Sequence, residues 1–371
     1  MPVPGSQIRI IFPPTGRANS SFYNMVKQSQ EHKIPAVISK NKVRVAYGAG
    51  GALAGLMADG AETFDWIVDD TPGYAGQSFA GCQIRPSEAL AALQPGSVKI
   101  VVCAQTSTAS KAIAQRLENM GFHKNVDFCD NSELAVKKIS QRLSVLLKTP
   151  FDETNLKEVS QAVKVESSRN LSGISGTWLF VGLVETLGKE AIPGSVAEAR
   201  VYQGGNAIAS LRSSPSLRER PYFLLDSFEG LGKSSSLDPH SRSGEFSDAN
   251  LSALRESLVP YANTTICKGY FEDTLPGLSG QHFALAYVDC DLAEPAKFCM
   301  NWFWDRLAEG GFLLVHDYWF PNFKMPLGAP EPFRGIKAIA DEFLADKQAP
   351  FVVIPETTHL VIRKQGRWKN A

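Results

Sequence analysis

Along most of this chain, short apolar runs alternate with segments of helical spacing. Residues 42–47 (KVRVAY) read as a strand, residues 48–55 open a helix, and residues 64–69 (FDWIVD) read as the next strand. A further strand is predicted over 98–103, followed by a helix near 110–120 that ends at Gly121. Strands alternating with helices through short connections imply a parallel sheet, so the chain up to about residue 130 predicts a small Rossmann-like α/β domain. Residues 131–170 contain no Gly and carry Lys, Glu, Ser, Leu and Val at roughly helical spacing. They predict one or two connecting helices rather than a flexible linker. A stretch with glycine and serine follows at 171–176, then a helix over 178–187 closed by Gly188.

From Gly194 the alternation is clearer. Strands are predicted over 195–198, 222–225, 264–268, 283–288, 312–315, 351–354 and 359–362. Helices fit at 206–211, 249–258, 295–307 and 335–344. Only residues 355–358 separate the last two strands, too few for a parallel crossover, so those strands must form an antiparallel hairpin. The expected organisation is a Rossmann-like domain over 1–130, connecting helices over 131–190, and a second α/β domain over 191–371. Seven strands with a terminal hairpin is the arrangement of class I methyltransferases.

Composition narrows the function classes. Lys+Arg and Asp+Glu each number 38 in a chain of 371 residues, so no global field favours nucleic acid or an anionic membrane. No apolar run approaches the length of a bilayer span, and the first residues lack the charged-then-apolar order of a secretory signal. A cytoplasmic protein acting on a small molecule is expected. Cys82, Cys103, Cys129, Cys267, Cys290 and Cys299 form no CxxC pair and read as reduced, mostly buried thiols.

In an open α/β sheet, ligands bind beyond the carboxyl ends of the strands. The residues just after the predicted strands are therefore the candidates. They are Glu198-Ala-Arg200 with Gly204-Gly205, then Asp226-Ser227-Phe228, Gly269-Tyr-Phe271, Asp289-Cys-Asp291 and His316-Asp317-Tyr318. A single strand-terminal Asp often caps the next helix. Carboxylates converging from four strands are harder to dismiss, because they repel unless a ligand or metal compensates.

Taken together, 196–206, 222–231, 268–276, 287–292 and 310–318 resemble the macrocin O-methyltransferase family, the runs DSFEGL and KGYFEDTLP being the most specific. The resemblance covers about 175 residues of the C-terminal domain. It implies S-adenosylmethionine as cofactor, a divalent metal, and methylation of a sugar or other hydroxylated natural-product intermediate. Carried over by position, it implies that Glu198, Gly204 and Gly205 shape the methionine end of the cofactor pocket. Asp226 would meet the ribose hydroxyls, with Ser227 and Phe228 nearby, and residues 269–271 would border the adenine. Asp289 would be a metal ligand and also the base, with residues 316 and 317 completing the site. A hard cation there would polarise the acceptor hydroxyl and lower its pKa.

Two residues depart from that pattern. Where the family has Glu-x-Gly, this chain has Arg200, a long cation beside a pocket meant for a sulfonium. It could point away, pair with Glu198 or Asp289, block the pocket, or recognise an anionic ligand. His316 stands where the family has Asp. It suits zinc, iron or manganese better than magnesium, could act as general base, or could be structural. The alternative is a methyltransferase fold repurposed for another metal-dependent reaction or for binding alone.

Elsewhere, Gly48-x-Gly50-x-x-x-x-Gly55 with Asp69-Asp70 is a displaced version of a dinucleotide fingerprint. It leaves open a nicotinamide or other nucleotide ligand, or a scaffold and dimerisation role that would make the protein a homo-oligomer. Residues 232–248, with Asp238, His240 and Arg242, have the length and polarity of a lid. Tyr318, Trp319, Phe320 and Phe323 could stack on a ring or simply pack.

Overall fold

The computed structural model describes residues 42–365, except 105–106, 152–154, 167–168, 239–242, 322–324 and 328–333. Two sheets organise the chain. The first has β1 (Val43–Tyr47), β2 (Trp66–Val68), β3 (Ser78–Phe79), β4 (Cys82–Arg85), β5 (Val98–Val102) and β6 (Phe128–Asp130) in the order β3-β4-β2-β1-β5-β6. All its pairings are parallel except β3 with β4. That small antiparallel hairpin has no counterpart in the sequence expectation, since its strands are too short to show a period. Helices Ser132–Leu147 and Leu156–Val165 occupy the connecting region. The next helix, Gly173–Lys189, begins earlier than the glycine-containing stretch suggested.

The second sheet comprises β7 (Ser195–Ala199), β8 (Tyr222–Asp226), β9 (Thr264–Lys268), β10 (Phe283–Val288), β11 (Leu307–Val315), β12 (Phe351–Ile354) and β13 (His359–Arg363). Its order is β12-β13-β11-β10-β7-β8-β9, parallel from β11 to β9, with β13 antiparallel to both β11 and β12. Every residue of β7, β8 and β10 is buried, as expected for central strands covered by helices on both faces. The strand order reverses between β7 and β10, and that switch point opens a crevice at the carboxyl ends.

The two sheets are closely joined. A Cβ on Gly55 would come within 2.3 Å of the Pro355 carbonyl oxygen, so the helix Gly51–Met57 lies directly on the turn between β12 and β13. Around it runs a buried ion-pair network. Lys138 Nζ lies 2.7 Å from Asp59, and Arg142 lies 3.4 Å from Asp59 and 3.0 Å from the fully buried Glu356 carboxylate. Trp319 packs against the apolar core of the N-terminal sheet, and the Leu327 amide donates to Gln77 at 2.6 Å. Among the described residues, no helix is long and apolar enough to cross a membrane. All six cysteines are free, and Cys103, Cys290 and Cys299 are buried.

Candidate active site

The carboxyl ends of β7, β8, β10 and β11 carry an unusual concentration of left-handed backbone. Arg200 (φ 76°), Tyr202 (53°), Phe228 (56°), Asp291 (56°) and Asp317 (57°) all lie just past these strands. Non-glycine residues in this region cost about 1–2 kcal/mol each and persist where surrounding structure fixes them, commonly at functional sites. At Arg200 the conformation shows why glycine would serve there at no steric cost.

Three ligand-type side chains meet beyond β10 and β11. His316 Nδ1 lies 3.0 Å from Asp289 Oδ1 and 3.2 Å from Asp317 Oδ1. Donor atoms of Asp289, His316 and Asp317 all fall within 4.8 Å of one another. Adjacent ligands of an octahedral ion bound at about 2.1 Å are roughly 3 Å apart, so the cluster fits one divalent cation with mixed oxygen and nitrogen donors. Burial opposes a charge on His316, but Asp317 and Asp289 raise its pKa well above the ordinary histidine value. For Asp289, burial pushes upward, yet His316 and then Arg200 hold it below the usual carboxylate range. His316 lies between the two carboxylates, at the place the sequence expectation gave to a ligand or a general base. Its geometry suits a ligand.

Arg200 neither points away nor pairs with Glu198. Its Nη2 sits 2.6 Å from Asp291 Oδ2 and its Nη1 3.7 Å from Asp289 Oδ1. The shorter contact is an ion pair with poor hydrogen-bond direction, because neither atom has a geometrically acceptable partner. On its other face the guanidinium lies 4.3 Å from the centre of the Phe246 ring. Asp291 was not expected to pair with it. Burial pushes Asp291 up, Arg200 pulls it down, and Asp289 and Asp317 add repulsion.

Beside this cluster is a cavity of about 440 Å³, bordered by Arg200, Asp226, Ser227, Gly269, Phe271 and Phe246 among others. Small-molecule sites fall in this size range. Phe246 forms part of one wall, and its segment is tied to residues already at the cavity. Leu231 N donates to the Glu245 carbonyl at 2.8 Å, and the Tyr202 hydroxyl donates to Asp248 at 2.9 Å. The predicted lid therefore borders the cavity, although its Asp238 instead accepts from the Ala293 amide at 3.1 Å, at the start of helix Ala293–Arg306. His240, Arg242 and Phe323 lie outside the described residues.

Several of the residues expected at the cofactor do not line this cavity. Glu198 does not border the cavity. It is buried and accepts from the Tyr222 hydroxyl and from Asn206 Nδ2 (3.3 Å), and burial pushes its pKa up to about 8. Gly204 and Gly205 are explained by internal packing. A Cβ on Gly204 would come within 2.2 Å of Leu254, and one on Gly205 within 2.3 Å of the backbone at 169–170. Phe228 is buried in the apolar core. Asp226 does border the cavity, but its oxygens already accept from the amides of Phe228 (2.7 Å) and Tyr202 (2.8 Å). Gly269 and Phe271 line the cavity where expected. Tyr318 is buried, with its hydroxyl donating to Asp341 at 2.7 Å, so it packs rather than stacks on a ligand.

Two residues escaped sequence reading. Buried His359, the first residue of β13, has its ring centre 4.6 Å from that of His316. Its Nε2 is 3.2 Å from the Tyr287 hydroxyl, which lies 3.3 Å from Asp289 Oδ2. Both residues sit inside predicted strands, and nothing in their spacing marks them. Two glycines of the N-terminal motif, Gly48 and Gly55, are accounted for by packing, while a Cβ on Gly50 would meet nothing within 4 Å. A Cβ on Gly48 would come within 2.5 Å of the Cys103 carbonyl oxygen, and Gly55 meets the 355–356 turn. Asp69, the residue expected to meet a ribose, instead accepts from the amides of Ala49 (2.6 Å) and Thr71 (2.7 Å).

Residues 179–345 match the family described as Macrocin-O-methyltransferase (TylF). The C-terminal part of the chain carries this macrocin O-methyltransferase pattern, and the match begins in the helix Gly173–Lys189 that supports β7. The chain is similar to 8-demethyl-8-(2,3-dimethoxy-alpha-L-rhamnosyl)-tetracenomycin-C 4'-O-methyltransferase of Streptomyces olivaceus. The two are 30% identical over 172 residues, 43% of this chain and 64% of that protein. It is also similar to Mycinamicin III 3''-O-methyltransferase of Micromonospora griseorubida, 26% identical over 188 residues, 45% of this chain and 71% of that protein. This chain thus spans less than two thirds of the tetracenomycin relative. The solved O-methyltransferase NovP aligns with a TM-score of 0.45 and 19% identity, over 63% of this chain and 100% of that one.

Proposed function

We propose that this protein is a metal-assisted, S-adenosylmethionine-dependent O-methyltransferase. Its acceptor would be a sugar or another small hydroxylated natural-product intermediate, met in the cytoplasm. One observation carries the reading. A ligand-sized cavity bordered by Asp226, Gly269 and Phe271 adjoins a cluster of Asp289, His316 and Asp317 that fits a divalent cation. Cofactor and metal would then sit side by side at the switch point of the sheet. That is the placement methyl transfer to a hydroxyl requires.

Asp289, His316 and Asp317 would hold the metal, which when bound would lower the pKa of a coordinated acceptor hydroxyl. The histidine favours manganese, iron or zinc over magnesium. Asp289 or His316 would take the hydroxyl proton. Gly269 and Phe271 would border the adenine and the free lone pairs of Asp226 the ribose. The wall that includes Phe246 would limit water. The partner is a small molecule, since the balanced charge offers nucleic acid or membrane no attraction. The N-terminal domain, with Gly48 and Gly55 of its motif taken up by packing, would serve as scaffold and contact between copies.

Arg200 supports a second reading, in which the fold is kept but methyl transfer is lost, because its guanidinium occupies part of the cavity wall beside two aspartates. Calorimetric titration with S-adenosylmethionine, with and without Mn²⁺, separates the two. Micromolar binding supports the methyltransferase. No binding under any metal condition sinks it and leaves the second reading.

A further inference from the structure

The proposed metal site is backed by two buried groups that cannot be ligands on their present geometry. Asp289 presents Oδ1 to His316 and turns Oδ2 toward the Tyr287 hydroxyl, 3.3 Å away. Tyr287 is on β10, two residues before Asp289, and its hydroxyl is 3.2 Å from Nε2 of His359 on β13. The backbone fixes this arrangement. Val288 pairs with Val315, Val315 pairs with Leu360, and His316 N donates to the Val288 carbonyl at 2.9 Å. The ends of β10, β11 and β13 therefore bring Asp289, His316 and His359 to one level of the sheet.

A phenol has one proton to give. His359 Nδ1 is buried and makes no hydrogen bond of good geometry, although the Thr357 backbone lies near the ring. A buried N–H lacking an acceptor is the costlier kind of orphan, so the network assigns the proton to Nε2. That N–H donates to the Tyr287 oxygen, and the phenol proton is then directed at Asp289 Oδ2. The opposite tautomer would turn the phenol toward the imidazole and leave Asp289 unsupported.

We infer that Tyr287 and His359 are positioning residues for the cation site, a hydrogen-bonded chain that aims Asp289 so that Oδ1 faces the metal. This rests on the metal reading of the Asp289/His316/Asp317 cluster. Groups in this position, behind the ligands, typically change metal affinity by about 10–100-fold when removed.

The test measures Mn²⁺ alone, by calorimetry and by the loss of its free-ion electron paramagnetic resonance signal, on the full chain. Tyr287→Phe deletes only the hydroxyl. His359→Leu deletes the upstream donor, and His359→Gln keeps an N–H near the Nε2 position. The expected result is Mn²⁺ affinity about 10–100-fold weaker for Tyr287→Phe and His359→Leu. The double variant should be no weaker than either single one, and His359→Gln should stay close to wild type. Thermal unfolding in EDTA shows whether each variant folds, and a variant that does not fold leaves Tyr287→Phe as the deciding measurement. Unchanged Mn²⁺ affinity in folded Tyr287→Phe, or fully additive losses in the double variant, overturns the inference and leaves the metal site standing. A wild-type chain that binds no Mn²⁺ overturns the metal reading itself, and this inference with it.

Discussion

Arg200 holds Asp291 at 2.6 Å across the carboxyl ends of β7 and β10 while its other face rests on Phe246. Every element of that contact also suits a cofactor's sulfonium: an aromatic face on one side and carboxylates on the other. The guanidinium thus occupies an environment made for a positive charge, in a backbone conformation (φ 76°) that prefers glycine. Arg200→Gly should relieve the strained residue and remove a like charge from the cavity. S-adenosylmethionine should then bind at least about tenfold more tightly, a gain of about 1.4 kcal/mol. Thermal stability should nevertheless fall, because Asp291 loses its cation while staying buried. Titration calorimetry and a melting curve on the same sample check both halves. Unchanged binding would show that Arg200 is no obstacle.

Glu198 makes stability depend on pH. Buried with the Tyr222 hydroxyl and Asn206, its carboxyl is pushed up to about 8 from an ordinary value of 4.5. Between those values the folded chain keeps a proton that the unfolded chain has lost. The group's stabilising contribution is therefore full below the lower value and lost as pH rises through the upper one. Each unit in that window costs up to about 1.4 kcal/mol. Glu198→Gln removes the dependence and keeps the hydrogen bonds: its oxygen accepts from Tyr222, and its amide can donate to the Asn206 oxygen, which has no partner now. Urea unfolding at pH 5 and pH 8 should show the variant gaining on wild type at the higher pH. Parallel pH profiles would sink the assignment.

The link between the two sheets is also testable. Glu356 is fully buried beside Arg142, which also reaches Asp59. Burial pushes the Glu356 pKa up and Arg142 pulls it down. Arg142→Met should cost about 3–5 kcal/mol, because it strands a buried carboxylate. The double change Arg142→Met/Glu356→Met should recover most of that loss. Its effect should spread to the site, since the Thr358 carbonyl at the same turn accepts from the amides of Tyr318 (2.9 Å) and Trp319 (3.1 Å), directly after Asp317. Denaturant midpoints of both variants decide the point. A double variant as unstable as the single one would mean that the charge pair is not the cause.

What the sequence revealed follows from which forces are local. The central strands of the second sheet are buried on both faces, so a strand such as β10 appears as a continuous apolar run, FALAYV at 283–288, and is placed directly. The hairpin of β12 and β13 followed from chain length alone. Asp289, His316 and Asp317, which the structure brings within 4.8 Å of one another, were candidates because they follow strand ends. What the sequence does not show is the long-range partner of a residue. Gly204 and Gly205 resemble a ligand-approach turn, yet what excludes a Cβ is Leu254 and the backbone at 169–170, remote in sequence. Arg200 gave no sign of choosing Asp291, and His359 looked like an ordinary strand residue. β3 and β4 were too short to carry a period.

The strongest test of the proposed metal cluster is to give it a third carboxylate. His316→Asp would replace an imidazole with a third carboxylate beside Asp289 and Asp317, leaving Arg200 as the cation that faces Asp289 and Asp291. In EDTA this variant should melt below wild type, because like charges a few ångströms apart repel when nothing compensates. Added Mg²⁺ should restore it, since an all-oxygen set suits a hard ion, and the preference for Zn²⁺ over Mg²⁺ should fall by about tenfold or more. Melting curves with EDTA, Mg²⁺ and Zn²⁺ measure all three effects. If His316→Asp is destabilised but no divalent ion rescues it, these three residues do not form a metal site. Their carboxylates would then be balanced by His316 and Arg200 alone.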